Sequence, residues 1–268
     1  MTIRVAVSGS GNMGREVLAG VLAAADMEPV GVLEKLSTER TLALPGGPTL
    51  PMSDDPAALL DETKPDVVID FSNAAWTPPV ADAAVERGIR LVIGTTGLDD
   101  AWLDGLEQRC REAGVGAVVA PNFATGAVLM IYLAKIAARF FDSVEVIELH
   151  HDRKVDAPSG TALTTAREIA AARGKRFDRN VPERETVAGT RAGEVEGVTV
   201  HSVRLPGLVA HQEVLFGGLG QTLSIRHDTT GRDSFIPGVL LATRAVMERR
   251  ELVRGLESLF HLPPIDTP

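Results

Sequence analysis

Between positions 148 and 161 the chain reads Glu-Leu-His-His-Asp-Arg-Lys-Val-Asp-Ala-Pro-Ser-Gly-Thr. His150, His151, Arg153 and Lys154 place two imidazoles, a guanidinium and an ammonium within five residues. Imidazole titrates near neutral pH, so such a cluster can both attract an anion and move a proton. The Pro-Ser-Gly-Thr run that follows opens a helix. Its first N–H groups, with the hydroxyls of Ser159 and Thr161, form a cradle for a carboxylate. Simpler roles stand beside these: helix capping for Ser159 and Thr161, solvated loop cations for Arg153 and Lys154, surface or metal-binding histidines for the pair. A catalytic zinc would want a third ligand and no nearby motif supplies one, so no metal is expected. In a regular strand, adjacent His150 and His151 would face opposite sides. Both address one ligand only if the strand ends or bends there, which Asp152 and the turn-forming residues after it allow.

A second constellation lies at the start of the chain. Ser8-Gly9-Ser10-Gly11-Asn12-Met13-Gly14 joins an apolar strand to a helix. A pyrophosphate requires this order: a tight turn, close backbone approach, and a helix N-terminus whose unpaired N–H groups favour negative charge. Twenty residues beyond the last glycine, Glu34 ends the next apolar run, where a carboxylate can accept hydrogen bonds from an adenosine ribose. Glu34 favours NADH. Lys35 either pairs with the extra phosphate of NADPH or is a solvated surface lysine, and use of both dinucleotides is expected. Gly94-Thr95-Thr96-Gly97 and Ala120-Pro121-Asn122-Phe123 close two later strands at the same expected sheet edge. The first is either a nicotinamide contact or a plain turn, the second either a cofactor contact or a hinge.

These residues need a scaffold, and the hydrophobic pattern supplies one. Ile3–Val7, 29–33, 67–71, 91–93 and 115–119 are short apolar runs separated by helical stretches at 15–25, 79–87 and 102–112. Such alternation implies a parallel sheet covered by helices on both faces. After Pro121 the pattern changes. A long helix over 125–141 precedes a half-buried strand at 143–149 and a helix at 161–173. A charged stretch at 174–197 then leads to strands at 198–205, 213–216 and 221–227, which suggests an open, mostly antiparallel sheet. The tail 237–260 reads as helical. The expected fold class is therefore α/β: a Rossmann-type dinucleotide-binding domain plus an α+β domain with an open mixed, mostly antiparallel sheet. The first domain takes residues 1–121 and 232–268, the second 122–231.

Composition removes several function classes. The chain has 268 residues, 44% hydrophobic and 24% charged, with a net charge of −9 from 27 basic and 36 acidic residues. That charge disfavours nonspecific nucleic-acid binding and makes a local cationic pocket necessary for any anionic ligand. No apolar run approaches the ~20 residues of a membrane span. The first residues read as a strand rather than an export signal, so a cytoplasmic location is expected. Cys110 is the single cysteine, which excludes an intrachain disulfide. It lies at helical spacing from Leu103 and Leu106, the pattern of a packed residue rather than a nucleophile.

With these residues in view, the chain resembles the 4-hydroxy-tetrahydrodipicolinate (dihydrodipicolinate) reductase family of the bacterial and plant diaminopimelate–lysine pathway. The resemblance runs through nearly the whole length. It is carried by the glycine loop, Asp70-Phe71-Ser72, Gly94-Thr95-Thr96-Gly97, Pro121-Asn122-Phe123 and His201-Ser202-Val203-Arg204-Leu205-Pro206-Gly207. Most specific is His150-His151-x-x-Lys154-Val155-Asp156-Ala157-Pro158-Ser159-Gly160-Thr161-Ala162. The resemblance implies a second domain that binds substrate and assembles a homotetramer. It also implies NADH or NADPH as hydride source and a small dicarboxylate cyclic imine as substrate. It further implies His150 as proton donor/acceptor, Lys154 as proton donor, and His151, Gly160 and Thr161 as substrate contacts. Cofactor contacts fall on the glycine loop, Glu34, Gly94–Thr96 and Ala120–Phe123, with domain closure about 121–123 and the segment near Arg232. Two departures stand out: Ser8 occupies the place of the first family glycine while Gly9 keeps the general pattern, and Lys35 stands where some members have arginine. Competing readings are another two-domain NAD(P)-dependent dehydrogenase and a non-catalytic NAD(P)H sensor. A sensor would have no use for the His-His-Lys and Ser-Gly-Thr cluster.

Overall fold

Short β-branched runs separated by amphipathic helices build the first part of the chain. The structure is a computed structural model that describes residues 2–263 and 265. Its elements begin with β1 (Ile3–Ser8), α1 (Asn12–Ala23), β2 (Met27–Leu33), β3 (Thr41–Ala43), β4 (Thr49–Ser53) and α2 (Pro56–Thr63). They continue with β5 (Val67–Asp70), α3 (Thr77–Glu86), β6 (Arg90–Ile93), α4 (Asp100–Ala113) and β7 (Ala117–Val119). After α5 (Thr125–Ala138) come β8 (Ser143–His150), α6 (Gly160–Arg173), β9 (Gly193–Val195), β10 (Val198–Arg204), β11 (Ala210–Gly218) and β12 (Gln221–Thr229). The chain ends through α7 (Ile236–Val246) and β13 (Leu252–Arg254).

Two compact units result. One takes the chain up to Thr125 and from Arg232 to His261; the other takes Gly126–Gly231 together with Leu262 and Pro263. In the second unit the Tyr132 hydroxyl donates to the Pro263 carbonyl at 2.8 Å.

The first unit holds the strand order β13-β7-β6-β5-β1-β2-β4-β3. Every pairing is parallel except the β3–β4 hairpin. The chain leaves β1 toward β2 on one side and returns to β5 on the other, so β1 flanks the point where the order reverses. Open α/β sheets bind ligands in the crevice at such a point. In register, Ser8 pairs with Leu33 and Asp70, Asp70 with Ile93, and Ile93 with Val119. The segments that follow these strand ends therefore emerge along one edge. Val68, Leu91, Ile93 and Ala117 of the sheet and Leu106 of α4 are fully buried in one cluster, each large aliphatic side chain contributing roughly 1.5–3 kcal/mol. Helix α4 shows why its ends fall where they do: Asp99 accepts the Ala101 and Trp102 N–H groups, and Gly114 closes it at φ 65°.

The second unit is a mixed sheet ordered β12-β11-β8-β10-β9. The β8–β10 pair is parallel and the other three pairings are antiparallel. Strand β8 alternates strictly, burying Val144, Val146 and Glu148. Val144 and Val146 pack with Ile169 of α6 and with Val214 and Phe216 of β11. Glu148 thus occupies a core-facing position because the strand period puts it there, not because its chemistry suits burial.

The tail departs from its helical reading. Helix α7 ends at Val246, and Leu252–Arg254 adds a parallel edge strand to β7. A three-residue strand beside the charged run 248–251 offers no periodicity to read. The three-residue strands β3 and β9 escape the sequence reading for the same reason; the reading also lacks β4 and the eight-residue helix α2, although Asp55 and Pro56 mark the start of α2.

Candidate active site

The dinucleotide candidates line the edge described above. Gly9 has φ 98°, and a Cβ there would lie 2.7 Å from the Phe71 carbonyl oxygen, so only glycine fits the turn. A Cβ on Gly14 would come within 1.8 Å of the Gly9 carbonyl oxygen, so helix α1 can start this close to the loop only without a side chain. Gly11 differs: a Cβ there meets nothing within 4 Å, and its φ of −70° is open to any residue. The protein itself supplies no steric reason for that glycine, whereas a pyrophosphate lying against the backbone does. Gly11 is also the N-cap of α1 and provides no side-chain cap, and the first turn carries no acidic residue. The loop and helix start fit a dinucleotide.

Glu34 leaves β2 beside this loop. Its carboxylate accepts from the Ser10 N–H at 2.8 Å, the Ser10 hydroxyl at 2.7 Å and the Leu36 N–H at 3.1 Å. Burial pushes its pKa up, but these hydrogen bonds outweigh burial and hold it below the ordinary carboxylate value. Glu34 is therefore an ionised acceptor fixed beside the glycine loop. Lys35 is exposed, with its ammonium 5.0 Å from the Trp76 ring centre.

Other expected contacts prove to be turned inward. Ser8 is fully buried, and its hydroxyl has no hydrogen-bond partner. The Thr95 hydroxyl donates to Asp70 at 2.7 Å and accepts the Ser72 N–H at 3.0 Å. Asp70, itself 1% exposed, also accepts from Ser72 and Thr77 hydroxyls at 2.6 Å each. Sequence reading assigned Asp70 no role; the structure makes it the post that ties the segments following β5 and β6 together. Gly94 is needed because the Phe71 ring would lie 2.2 Å from a Cβ there. Phe123 is buried against Phe71, and Asn122 accepts the Ala124 N–H at 2.8 Å. Thr96 and Pro121 are exposed at this edge, and Ala120 is buried.

In the second unit β8 ends at His150, which resolves the two-face problem: His151 lies beyond the strand, its carbonyl accepting the Lys154 N–H at 3.2 Å. His150 shares a strand face with Glu148, two residues back. The His150 Nδ1 lies 2.5 Å from Glu148 Oε2. Arg204, opposite His150 in the parallel register, donates from Nη1 to Oε2 at 2.9 Å and from Nη2 to Oε1 at 2.8 Å. The Ser159 N–H also donates to Oε1, at 3.2 Å, and Arg204 reaches the Asp156 carbonyl at 2.7 Å. Burial raises the Glu148 pKa, but hydrogen bonds from His150, Arg204 and Ser202 outweigh burial and bring it down to about 2. The same ion pair raises the Arg204 pKa.

Helix α6 starts on this network. The Ser159 hydroxyl accepts the Ala162 N–H at 3.2 Å, so this side chain is a cap. Gly160 is exposed, and a Cβ there meets nothing within 4 Å. Thr161 is half-buried in the first turn, where its carbonyl accepts from Thr165. Lys154 pairs with Asp156 at 2.7 Å. The structure thus brings His150, Ser159 and the unpredicted pair Glu148–Arg204 into one hydrogen-bonded set. The spacing Glu-x-His on a strand was the available signal. A cavity of about 600 Å³ touches this loop at Ala157 and Pro158 and runs along His201–Val203; neither His150 nor Lys154 lines it.

Cys110 is buried, and burial raises its thiol to about 11, as a packed residue requires. Among the described residues no group of three or more His, Cys, Asp or Glu is arranged to hold a metal, and no helix is long and apolar enough to cross a membrane.

Comparison with known proteins matches two family models along the chain: dihydrodipicolinate reductase, N-terminus, over residues 3–123, and dihydrodipicolinate reductase, C-terminus, over residues 126–260. The chain belongs to the dihydrodipicolinate reductase family. Members of this family are NAD(P)H-dependent oxidoreductases acting on a small cyclic imine. The 4-hydroxy-tetrahydrodipicolinate reductase of Moorella thermoacetica is 49% identical over 264 residues, covering 96% of this chain and 98% of the relative. That of Dehalococcoides mccartyi is 45% identical over 262 residues, covering 97% and 99%. A solved dipicolinate-bound dihydrodipicolinate reductase from Paenisporosarcina superposes with a TM-score of 0.88 at 42% identity, covering 96% of this chain and 99% of that one. An amine dehydrogenase from Mycobacterium smegmatis shares the fold alone, with a TM-score of 0.68 at 16% identity.

Proposed function

We propose that the chain reduces 4-hydroxy-tetrahydrodipicolinate (dihydrodipicolinate) to tetrahydrodipicolinate in diaminopimelate and lysine biosynthesis, using NADH or NADPH. The observation that carries this reading is the hydrogen-bonded end of β8, where one imidazole, one buried ion pair and one helix start converge. A dinucleotide-binding sensor would have no need of that set.

When bound, the reduced nicotinamide supplies the hydride. The glycine loop, with Ser10, Asn12, Met13 and the α1 N–H groups, holds the pyrophosphate, and Glu34 holds the adenosine ribose. Gly94, Thr96 and the 120–123 segment flank the nicotinamide end, with Thr95 acting from within through Asp70. As negative charge develops on the ring nitrogen of the imine, His150 delivers the neutralising proton and Lys154 serves as a second donor. His151, Gly160 and Thr161 hold the carboxylates at the positive end of α6, whose position Ser159 fixes.

The first unit is then the dinucleotide domain and the second the substrate and assembly domain. Assembly as a homotetramer is supported by the outer sheet face, where Ile147, Leu149 and Leu215 are half-buried and Thr222 and Ser224 are exposed. Dependence on the intracellular NADH or NADPH pool supports a cytoplasmic location.

The test is the disappearance of NADH absorbance in the presence of the cyclic imine. Rapid oxidation is expected with NADH, NADPH or both. Tight dinucleotide binding without imine-dependent oxidation would leave only a binding protein.

A further inference from the structure

Glu148 is the one charged side chain of β8 that faces the core, and it has no exposed surface. A carboxylate so placed costs several kcal/mol unless each oxygen is paired. Here the donors are specific: Arg204 forks across both oxygens, the Ser159 N–H reaches Oε1, His150 Nδ1 reaches Oε2, and Ser202 adds a further hydrogen bond. An ionised carboxylate accepts hydrogen bonds only. The atom of His150 that touches it must therefore carry a proton.

We infer that Glu148, locked by Arg204, is a positioning residue that holds the His150 proton on Nδ1, so that Nε2 is the nitrogen exchanging protons with substrate. The same carboxylate fixes the start of α6 through Ser159, and Arg204 fixes the intervening loop through the Asp156 carbonyl. Proton donor and carboxylate cradle are thus set by one buried charge. The inference rests on the proposed role of His150 and adds to it the atom used and the residue that selects it.

A carboxamide at position 148 tests this directly. Arg204 donates to both oxygens, so an amide nitrogen forfeits one Arg204 bond on either arm; on the Oε1 arm it also opposes the fixed Ser159 N–H, so it settles on the arm facing His150, where the ring can turn acceptor by moving its proton to Nε2. Glu148→Gln should therefore reverse the tautomer. A ring held in the wrong tautomer loses about 10⁴-fold in turnover at its extreme, and about 10²–10⁴-fold spans the expected loss in kcat. Three variants are compared by imine-dependent NADH oxidation: Glu148→Gln, His150→Gln and the double variant. If Glu148 acts through His150, the double variant is no slower than His150→Gln within a few-fold. Losses that multiply would make Glu148 a general stabiliser and overturn the inference.

Nitrogen-15 NMR of the histidine-labelled chain gives a readout that a merely structural residue would leave unchanged. The His150 signals are those absent from His150→Gln. The neutral wild-type ring is expected to carry its proton on Nδ1, and the Glu148→Gln ring on Nε2. A wild-type proton on Nε2 overturns the inference, and this measurement decides alone if Glu148→Gln fails to fold. Full turnover in His150→Gln is a distinct failure: it removes the proton-transfer role of His150 and the inference with it.

Discussion

Helix α1 starts at Gly11 with no side-chain cap, whereas helix α6 starts at Ser159, whose hydroxyl takes up the Ala162 N–H and whose own N–H is tied to Glu148. Both are helix N-termini proposed to meet anions, and they are built differently. The first is shaped by missing side chains: Gly9 for the turn, Gly14 for close packing, Gly11 for open space. The second is held by charge, with Arg204, Glu148 and His150 paired behind it. Shape suits a ligand that only has to be held, because backbone amides do not titrate. Charge suits a ligand that must receive a proton, because the imidazole that delivers it needs a fixed partner.

The largest effect should appear on the charged side. His150→Gln should lower kcat by about 10²–10⁴-fold, the usual worth of general acid catalysis, while NADH binding measured by fluorescence stays at the wild-type value. Lys154→Ala should raise KM for the imine as well as lower the rate. If His150→Gln instead weakened NADH binding and spared turnover, the division of labour between the two helix starts would be wrong.

Acid probes the charged side directly. The Glu148 pKa falls from an ordinary 4.5 to about 2 in the folded state. A group depressed by folding binds more protons when unfolded, so its stabilisation is complete above 4.5 and is lost as pH falls through about 2. Glu34 has the same sign in the first unit. Thermal unfolding of wild type should weaken across this window, and Glu148→Gln should show a flatter pH dependence at a cost of about 1.5–3 kcal/mol at neutral pH. An unchanged slope in that variant would mean that Glu148 is not the acid-sensitive group of the second unit.

A smaller effect tests the uncharged side. Gly11→Ala should change stability by about 1 kcal/mol or less, the difference between these residues at an N-cap, yet weaken NADH about tenfold, or 1.4 kcal/mol. Gly14→Ala should instead destabilise the fold itself, by about 1–3 kcal/mol, because its Cβ meets the Gly9 carbonyl. Equal NADH affinity in Gly11→Ala and wild type would remove the ligand as the reason for that glycine.

The two regions also differed in how far they could be read from sequence. The glycine loop and Glu34 are local: strand, turn and helix follow one another, and the acidic residue closes the next strand. The mixed sheet was legible as a class, because β8, β10, β11 and β12 each carry alternation. Glu148 and Arg204 were visible as residues but not as a pair, since they are 56 apart and meet only through the parallel β8–β10 register. Asp70 was hidden for the same reason, its partner Thr95 lying 25 residues away on another strand end. Ser8, placed with the loop, turned out fully buried because it ends β1, a central strand whose last four residues are buried on both faces. Local chemistry shows in spacing, while buried charge networks show only once strand neighbours are known.

The smallest effect concerns Lys35, on the dinucleotide side. Its ammonium lies over Trp76 at 5.0 Å, an exposed contact of about 0.5–1 kcal/mol. Beside it, Glu34 keeps a negative charge against the Ser10 N–H and hydroxyl, which suits ribose hydroxyls and repels a phosphate there. Lys35 is the cation proposed to offset Glu34 toward NADPH, and a flexible ammonium would do this without forking to fixed oxygens. Lys35→Ala should raise KM for NADPH a few-fold, leave KM for NADH unchanged, and barely move the melting temperature. An unchanged NADPH-to-NADH ratio would assign the lysine to Trp76 alone, and dual cofactor use would then have to come from the width of the glycine loop rather than from charge.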